Sequence, residues 1–291
     1  MKDLMQLTRF YLSLAVSLSG LFTYLAISQN PSFGIVVPVL GILFLALGSS
    51  ALNQIQEQKL DAKMKRTSAR PLINGNYTWK QALIITIGLL FLSFLCLYKT
   101  MGQVGTFFFV ATIILYNFIY TPLKPKTHYA LILGSFLGVI APSIGWLYAR
   151  ESLLDIRFIY LFCLFFIWQV PHFWLLALMY ADDYKKAGFP TLVDKIGEQN
   201  LLRVSSVWYL FCVFIGLFLV NSFYVPLSLW VVVIAVSAYI FYAGLQLLFM
   251  KDIVFSVMKS SFIKLNIYIF FILLVLTINN LYFDTRLVIS F

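Results

Sequence analysis

The chain has 291 residues, of which 62% are hydrophobic and only 11% are charged, and its mean hydropathy is +0.91. Such values exclude a soluble globular domain and indicate a polytopic membrane protein. The formal net charge of +10 does not indicate nucleic-acid binding, which requires a basic face on a soluble fold.

Long apolar segments predict the fold, an all-α membrane bundle forming one domain over residues 1–291. Each segment is long enough to cross the bilayer core as a helix. The nine predicted segments are 8–28, 33–52, 80–98, 104–120, 129–149, 157–179, 203–221, 226–250 and 261–282. Gly102, between the third and fourth segments, and Gly105, at the start of the fourth, form a short glycine spacing with no predicted function.

The distribution of Lys and Arg predicts the orientation. If the N-terminus lies inside, 17 of the 21 basic residues fall on that side, which places the N-terminus in the cytoplasm and the C-terminus outside. The inside set is Lys2, Arg9, Lys59, Lys63, Lys65, Arg66, Arg70, Lys80, Lys124, Lys126, Lys185, Lys186, Lys195, Arg203, Lys251, Lys259 and Lys264; the outside set is Lys99, Arg150, Arg157 and Arg286. The first residues lack an Arg-rich, Ser-rich transit pattern, which favours a bacterial or archaeal membrane.

The longest polar run, 53–71, follows the second apolar segment. Asn53, Glu57 and Asp61 stand four apart, so a helix places them on one face. Arg66 and Arg70 repeat the same spacing. Because oxygen ligands suit Mg²⁺ and Arg suits phosphate oxygens, the run predicts a site for a magnesium diphosphate at a membrane surface.

Two further polar stretches are predicted to face the same side. In 180–192, Asp182 or Asp183 supplies further metal ligands, or the stretch is a solvated helix end. In 120–128, Lys124 and Lys126 hold phosphate, or they anchor the helix by the positive-inside rule.

A polar patch interrupts the sixth apolar segment, where Gln169, Pro171 and His172 occur together. Polar groups inside a membrane helix are costly and tend to face a cavity. His172 is predicted to bind a metal, contact a carboxylated ligand or bond to a neighbouring helix. The three cysteines form no CxxC pair, and we expect them to be buried small residues.

With these motifs in place, the chain resembles the UbiA superfamily of intramembrane prenyltransferases, and within it the branch that acts on haem. The resemblance covers nearly the whole chain. Its residues are Asn53, Glu57, Asp61, Met64, Arg66, Thr67, Arg70, Pro71 and Leu72; Tyr120, Thr121, Pro122, Leu123 and Lys124; Pro142, Gly145 and Trp146; Trp168, Gln169, Pro171, His172, Phe173 and Trp174; Asp183, Tyr184, Ala187, Gly188 and Pro190; and Lys264, Leu265, Asn266 and Tyr268.

The resemblance implies transfer of a farnesyl group from farnesyl diphosphate to a vinyl group of haem B, in the inner membrane of a bacterium. The implied catalytic residues and ligands of Mg²⁺ are Asn53, Glu57, Asp61 and Asp183. The implied substrate-binding residues are Arg66, Arg70, Lys124, Lys126, Tyr120, Tyr184 and His172, with His172 on the porphyrin or its iron. The lipid bilayer is the surrounding medium, and partners among haem-copper oxidase assembly proteins are compatible with this function.

Some positions depart from the family pattern. Many members carry Asp at the position of Glu57. The broader superfamily often has a second pair of Asp residues four positions apart, but here the residues four positions after Asp182 and Asp183 are Lys186 and Ala187. These departures leave two alternatives open: a related prenyltransferase with an aromatic or quinone-precursor acceptor, and a transporter without chemistry. An Asp61→Asn change distinguishes an enzyme from a transporter. An enzyme should lose turnover while it stays folded, whereas a transporter need not be affected.

Overall fold

The computed structural model describes residues 1–149 and 151–283; Arg150 and Arg286, two of the predicted outside charges, lie beyond the described residues. The described part is almost entirely helical and contains no strand. Its helices are α1 (Lys2–Leu7), α2 (Phe10–Ile27), α3 (Val36–Asp61), α4 (Trp79–Ile113), α5 (Thr121–Leu123), α6 (Ala130–Ser135), α7 (Leu137–Tyr148), α8 (Ile156–Met179), α9 (Ala181–Ala187), α10 (Leu192–Ile196), α11 (Glu198–Asn221), α12 (Leu227–Leu248) and α13 (Phe255–Tyr282).

Eight continuous helical segments in the described residues are long and apolar enough to cross a membrane. Helices form because the bilayer core offers no water, so every backbone polar group must be satisfied within its own segment. The predicted all-α membrane bundle is confirmed, and the protein is a multi-pass membrane protein. The prediction of nine spans differs from this count at one place only, residues 79–123.

The segment Trp79–Leu123 contains both the third and the fourth predicted spans. As a straight helix it would be about 67 Å long, more than twice the bilayer core. It is not straight, because Gly102 interrupts it with φ 57° and ψ −127°. Phe94 and Phe109 then meet edge to face, 5.6 Å apart between ring centroids, and a Cβ on Gly105 would lie 2.2 Å from the Leu97 carbonyl oxygen. The chain therefore reverses at Gly102.

A contact across this reversal supports nine crossings. Lys124 Nζ lies 2.8 Å from Glu57 Oε1, so the ends of the segment between them lie on the same side of the membrane. An even number of crossings must separate these ends, and residues 79–123 supply two. Gly102 and Gly105, for which the sequence predicts no function, thus make the turn between two spans.

We expect Gly102→Ala to destabilise the protein by about 1–3 kcal/mol, because side chains rarely adopt this backbone conformation. Gly88 in the same helix is the matched control, since a Cβ there meets no atom within 4 Å. Gly88→Ala should be neutral or stabilise by about 0.5–1 kcal/mol. Thermal unfolding in detergent measures both, and equal midpoints for the two variants would contradict the role of Gly102.

The described chain divides into two compact units. The first comprises Met1–Gly20, Phe33–Ile144 and Tyr180–Thr191, and contains all three polar loops predicted to form the site. The second comprises Leu21–Ser32, Gly145–Met179 and the chain from Leu192 onward, and contains His172. The single domain proposed for residues 1–291 stays a prediction.

Candidate active site

The oxygen ladder lies at the end of α3. This helix continues past the predicted end of its apolar run and finishes at Asp61, so the four-residue spacing does place Asn53, Glu57 and Asp61 on one face. All three are buried, with exposures of 0%, 4% and 2%. Buried carboxylates need charged or hydrogen-bonding partners.

Each ladder residue has a cationic partner. Arg9 Nη2 donates to Asn53 Oδ1 at 3.0 Å, Lys124 Nζ donates to Glu57 Oε1 at 2.8 Å, and Arg70 Nη1 pairs with Asp61 Oδ2. The structure therefore brings Arg70 and Lys124 to the ladder, as the sequence predicts. It adds Arg9, for which the Lys and Arg distribution predicts only a role in membrane orientation.

The local field keeps these cations charged at neutral pH. Burial would lower the pKa of Lys124, but Tyr120 and Glu57 outweigh it and raise the pKa above the usual value. The pKa of Arg9 is raised for a similar reason, because Tyr116 and Glu57 outweigh burial. Burial, with Arg9 nearby, lowers the pKa of Arg70 to about 10, which is still above neutrality. Three cations thus face two carboxylates in a largely buried cluster.

Arg9 reaches the ladder because the chain breaks between α1 and α2. Its φ of 49° makes it the one non-glycine residue with positive φ in the described chain, a conformation that costs free energy for an L-residue. One feature of the sequence indicates that Arg9 has a partner inside the protein. Arg9 lies inside the predicted span 8–28, where a charged side chain is costly and needs a partner.

Thr121 fixes the orientation of Asn53. Asn53 Nδ2 donates to Thr121 Oγ1 at 3.0 Å, and that hydroxyl donates to the Tyr116 carbonyl at 2.8 Å. Since the Asn53 nitrogen is engaged, its oxygen faces Arg9. Thr121 belongs to the family motif but is not among the predicted site residues.

A π-helix, Ile114–Tyr120, precedes Thr121; such segments are frequent at functional sites. Lys124 Nζ lies 5.1 Å from the centre of the buried Tyr120 ring, which stacks on Tyr116 at 6.0 Å. Gly134 leaves room for this ring, since a Cβ there would lie 2.8 Å from Tyr120 Cε2. An aromatic wall is therefore held beside the cations.

The loop after α3 is fastened to α9. The Arg66 backbone N–H donates to Asp183 Oδ2 at 3.0 Å, and the Arg66 guanidinium lies 5.1 Å from the centre of the Tyr180 ring. Tyr184 packs with Met64 in a small apolar cluster. The two predicted polar stretches are thus in contact, and one carboxylate oxygen of Asp183 is engaged by the loop backbone.

The remaining loop predictions concern exposed side chains. Lys126 and Asp182 are both exposed, and the described structure shows neither in contact with the ladder. The diphosphate role of Lys126 and the metal role of Asp182 or Asp183 stay predictions.

His172 lies in the second compact unit and bonds to a neighbouring helix, one of the three roles considered. Its Nδ1 lies 2.9 Å from Asn266 Oδ1 on α13. The Trp168 and Phe262 rings lie 5.2 Å and 4.6 Å from the imidazole. Sequence position alone could not pair His172 with Asn266, 94 residues away.

The ladder's chemistry fits Mg²⁺. The described residues contain no cluster of three or more His, Cys, Asp and Glu side chains able to hold a metal, so a cage made only of such residues is not present there. Two carboxylates and an amide oxygen on one helix face match the way Mg²⁺ is bound to few protein ligands and to substrate phosphates.

Comparisons with known proteins agree with this arrangement. Residues 13–278 match the UbiA prenyltransferase family. A protoheme IX farnesyltransferase from Oleidesulfovibrio alaskensis is 30% identical over 277 residues, covering 94% of this chain and 95% of that protein. A protein of the same name from Bdellovibrio bacteriovorus is 35% identical over 207 residues, covering 70% of this chain and 68% of that protein.

A solved structure shares the fold. It is a UbiA homologue from Archaeoglobus fulgidus bound to DMAPP and Mg²⁺, with a TM-score of 0.68 and 16% identity, covering 95% of this chain and 99% of that one. At this identity the likeness concerns the fold. The family match extends over most of the chain and includes the oxygen ladder and the loops that carry Arg70 and Lys124, so the chain belongs to the UbiA prenyltransferase family.

Proposed function

We propose that this protein transfers a farnesyl group from farnesyl diphosphate to a vinyl group of haem B, giving haem O. The observation that carries the transfer chemistry is the buried ladder of Asn53, Glu57 and Asp61 with its three cations. The choice of farnesyl donor and haem acceptor rests on the relatives named protoheme IX farnesyltransferase.

The charges of the cluster favour such a substrate. Arg9, Arg70 and Lys124 carry one positive charge more than Glu57 and Asp61 neutralise. Unbalanced charge is costly away from water. A divalent cation bound with a trivalent diphosphate anion carries one net negative charge, so the pair would neutralise the cluster.

Asn53, Glu57 and Asp61 would hold Mg²⁺, with the second oxygen of Asp183 as a further ligand. When bound, Mg²⁺ supplies charge that stabilises the diphosphate as it leaves. Arg70, Lys124 and Arg66 bind the diphosphate oxygens, and Lys126 is a weaker candidate because it is displaced by one position from the family pattern.

The cations act on the bond-breaking step. The bond between farnesyl C1 and the diphosphate oxygen breaks with both electrons on the oxygen. The fixed guanidinium and ammonium groups stabilise that negative charge, so the diphosphate leaves as an anion and needs no general acid. Tyr120, held beside Lys124, excludes water and presents an aromatic face to the allylic cation. Tyr184 is proposed to contribute to the substrate-binding wall on the α9 side.

The farnesyl cation then reacts with the vinyl group of haem B and with water. The terminal vinyl carbon of haem B bonds to farnesyl C1, which leaves a cation on the inner vinyl carbon. Water adds there and loses a proton, giving the hydroxyethylfarnesyl side chain. His172 is proposed to contact the porphyrin or its iron.

We also propose that the protein lies in the cytoplasmic (inner) membrane of a bacterium, with its N-terminus in the cytoplasm and its C-terminus outside. The contact between Glu57 and Lys124 supports a common face for two of the three polar loops. That face would meet the cytoplasmic pool of the soluble diphosphate. Partners among oxidase assembly proteins stay a prediction.

Mass spectrometry of haems extracted from membranes that contain the protein tests the function. We expect haem B to be converted to a species heavier by one farnesyl group and one hydroxyl group, in which a hydroxyethylfarnesyl side chain replaces one vinyl group. Asp61→Asn should abolish this product while the protein stays folded, because the amide still accepts from Arg70 but lacks the charge that holds a metal. Asp252→Asn, at an exposed position outside the site, is the control and should retain turnover.

Two results would overturn the proposal. If folded, abundant protein supplied with both substrates leaves only haem B, the haem acceptor is wrong, and an aromatic or quinone-precursor acceptor becomes the alternative. If Asp61→Asn makes as much product as Asp252→Asn, the ladder is not the site of diphosphate activation.

A further inference from the structure

The patch around His172 contains polar atoms that the diphosphate chemistry does not use. Trp168 and His172 stand one helical turn apart on α8, and Phe262 and Asn266 stand one turn apart on the facing α13. The four side chains form one group within the second compact unit. Polar side chains within a membrane-spanning helix usually contact a ligand or a neighbouring helix.

Asn266 has only one way to face the histidine. Its Nδ2 donates to the Phe262 carbonyl at 2.5 Å, one turn earlier on its own helix. The atom that remains toward His172 is therefore Oδ1, which can only accept a hydrogen bond. The amide orientation is set by the helix backbone and is independent of the histidine.

This acceptor decides which nitrogen of His172 carries the proton. Because Oδ1 lies 2.9 Å from Nδ1, Nδ1 must be the donor. In a neutral imidazole the other nitrogen, Nε2, then has a free lone pair. A histidine whose Nδ1–H is held by an oxygen is the usual form of a metal-ligating histidine.

A second unpartnered atom lies on the same face of α8. The Trp168 indole N–H is buried and has no hydrogen-bond partner in the described parts of the chain. Buried polar atoms without partners are few in folded proteins, and each calls for an explanation such as a ligand. The histidine lone pair and the indole donor, with the Phe262 ring alongside, suit a flat aromatic molecule that carries a metal and polar substituents.

We propose that His172 ligates the iron of the haem substrate through Nε2, and that Asn266 is a positioning residue that holds the ligating tautomer. This proposal rests on the proposed function and names the contact by which the acceptor is held. Trp168 donates its indole N–H to an oxygen of the same bound molecule.

Haemin and metal-free protoporphyrin IX, titrated into the purified full-length protein in detergent, separate an iron contact from a ring contact. His172→Ala should change the Soret band of bound haemin and weaken haemin binding by about 10–100-fold. It should leave the affinity for metal-free protoporphyrin IX unchanged. Added imidazole should restore the wild-type haemin spectrum, and His128→Ala, the other histidine of the chain, should behave as wild type.

The Asn266 variants test positioning. Asn266→Leu removes the acceptor and should shift the iron–histidine vibration in the resonance Raman spectrum and weaken haemin binding. Asn266→Asp keeps an oxygen toward Nδ1 and should restore ligation. Trp168→Phe should weaken binding by about tenfold, the loss of one hydrogen bond, without changing the iron spectrum.

The outcomes distinguish this proposal from the function on which it rests. If wild-type membranes make farnesylated haem but His172→Ala leaves the haemin spectrum unchanged, the ligation is wrong and the function stands. An equal loss of affinity for haemin and metal-free protoporphyrin IX in that variant also overturns ligation, in favour of a ring contact. If the wild-type protein neither binds haemin nor makes the product, both proposals fail.

Discussion

Replacing Arg70 with Met is expected to lower turnover by at least about 100-fold, the usual effect of removing one preorganised donor from developing negative charge. It should also destabilise the protein. Asp61 is 2% exposed and pairs with Arg70, so the variant leaves a buried carboxylate without its partner, which costs about 3–5 kcal/mol.

A second variant separates the two effects. In Asp61→Asn/Arg70→Met the unpaired charge is gone, and the cluster keeps the same excess of one positive charge as the wild type. Thermal unfolding in detergent should therefore recover most of the lost stability, while turnover, measured as farnesylated haem, stays abolished. Recovery of turnover with stability would show that Arg70 serves only the fold.

The control for Arg70→Met is Lys65→Met. Lys65 lies on the same loop, and it is exposed and outside the cluster. The Lys65→Met variant loses one positive charge from the same loop, as Arg70→Met does, but the ladder stays intact. Its turnover and unfolding temperature should therefore match the wild type. A loss in this variant would point to a general effect of surface charge on the diphosphate's approach.

The sequence predicts those features that depend on local periodicity. The apolar segments give the helices because the bilayer forces backbone bonds to close within each segment. The spacing of Asn53, Glu57 and Asp61 gives one face because a helix repeats every 3.6 residues. Both predictions hold in the structure.

Features that depend on which helices adjoin could not be predicted in this way. The pairs Asn53 with Thr121 and His172 with Asn266 join residues 68 and 94 positions apart, and hydrophobic periodicity carries no information about neighbouring helices. Gly102 is a similar case. The sequence predicts two spans around it, but only its backbone angles explain how the continuous segment Trp79–Leu123 holds both without an intervening loop.

Arg9 is the residue for which orientation and function were hardest to separate by sequence. Every Lys or Arg near a cytoplasmic helix end adds to the positive-inside count, so that count cannot identify one whose side chain turns inward. The distinguishing feature is the backbone of Arg9, whose positive φ aims the guanidinium at Asn53.

We expect Arg9→Ala to lower turnover by about 100-fold. The variant removes the partner of Asn53 Oδ1 and the excess positive charge of the cluster, so the Michaelis constant for the diphosphate should rise as well. Lys2→Ala is the control, because Lys2 is exposed on α1 at the same end of the chain. It should leave both kinetic constants unchanged.

Arg9→Gly tests whether the guanidinium or the backbone is responsible. Glycine adopts a positive φ without the cost of about 1–2 kcal/mol that an L-residue incurs, so Arg9→Gly should unfold at a higher temperature than Arg9→Ala. Both variants lack the guanidinium and should lose turnover equally. If Arg9→Gly instead keeps wild-type turnover, Arg9 acts only in membrane orientation, and the diphosphate site contains two cations at the ladder. Equal loss of turnover with unequal stability would mean that the strained backbone is retained because it delivers a third cation to the leaving group.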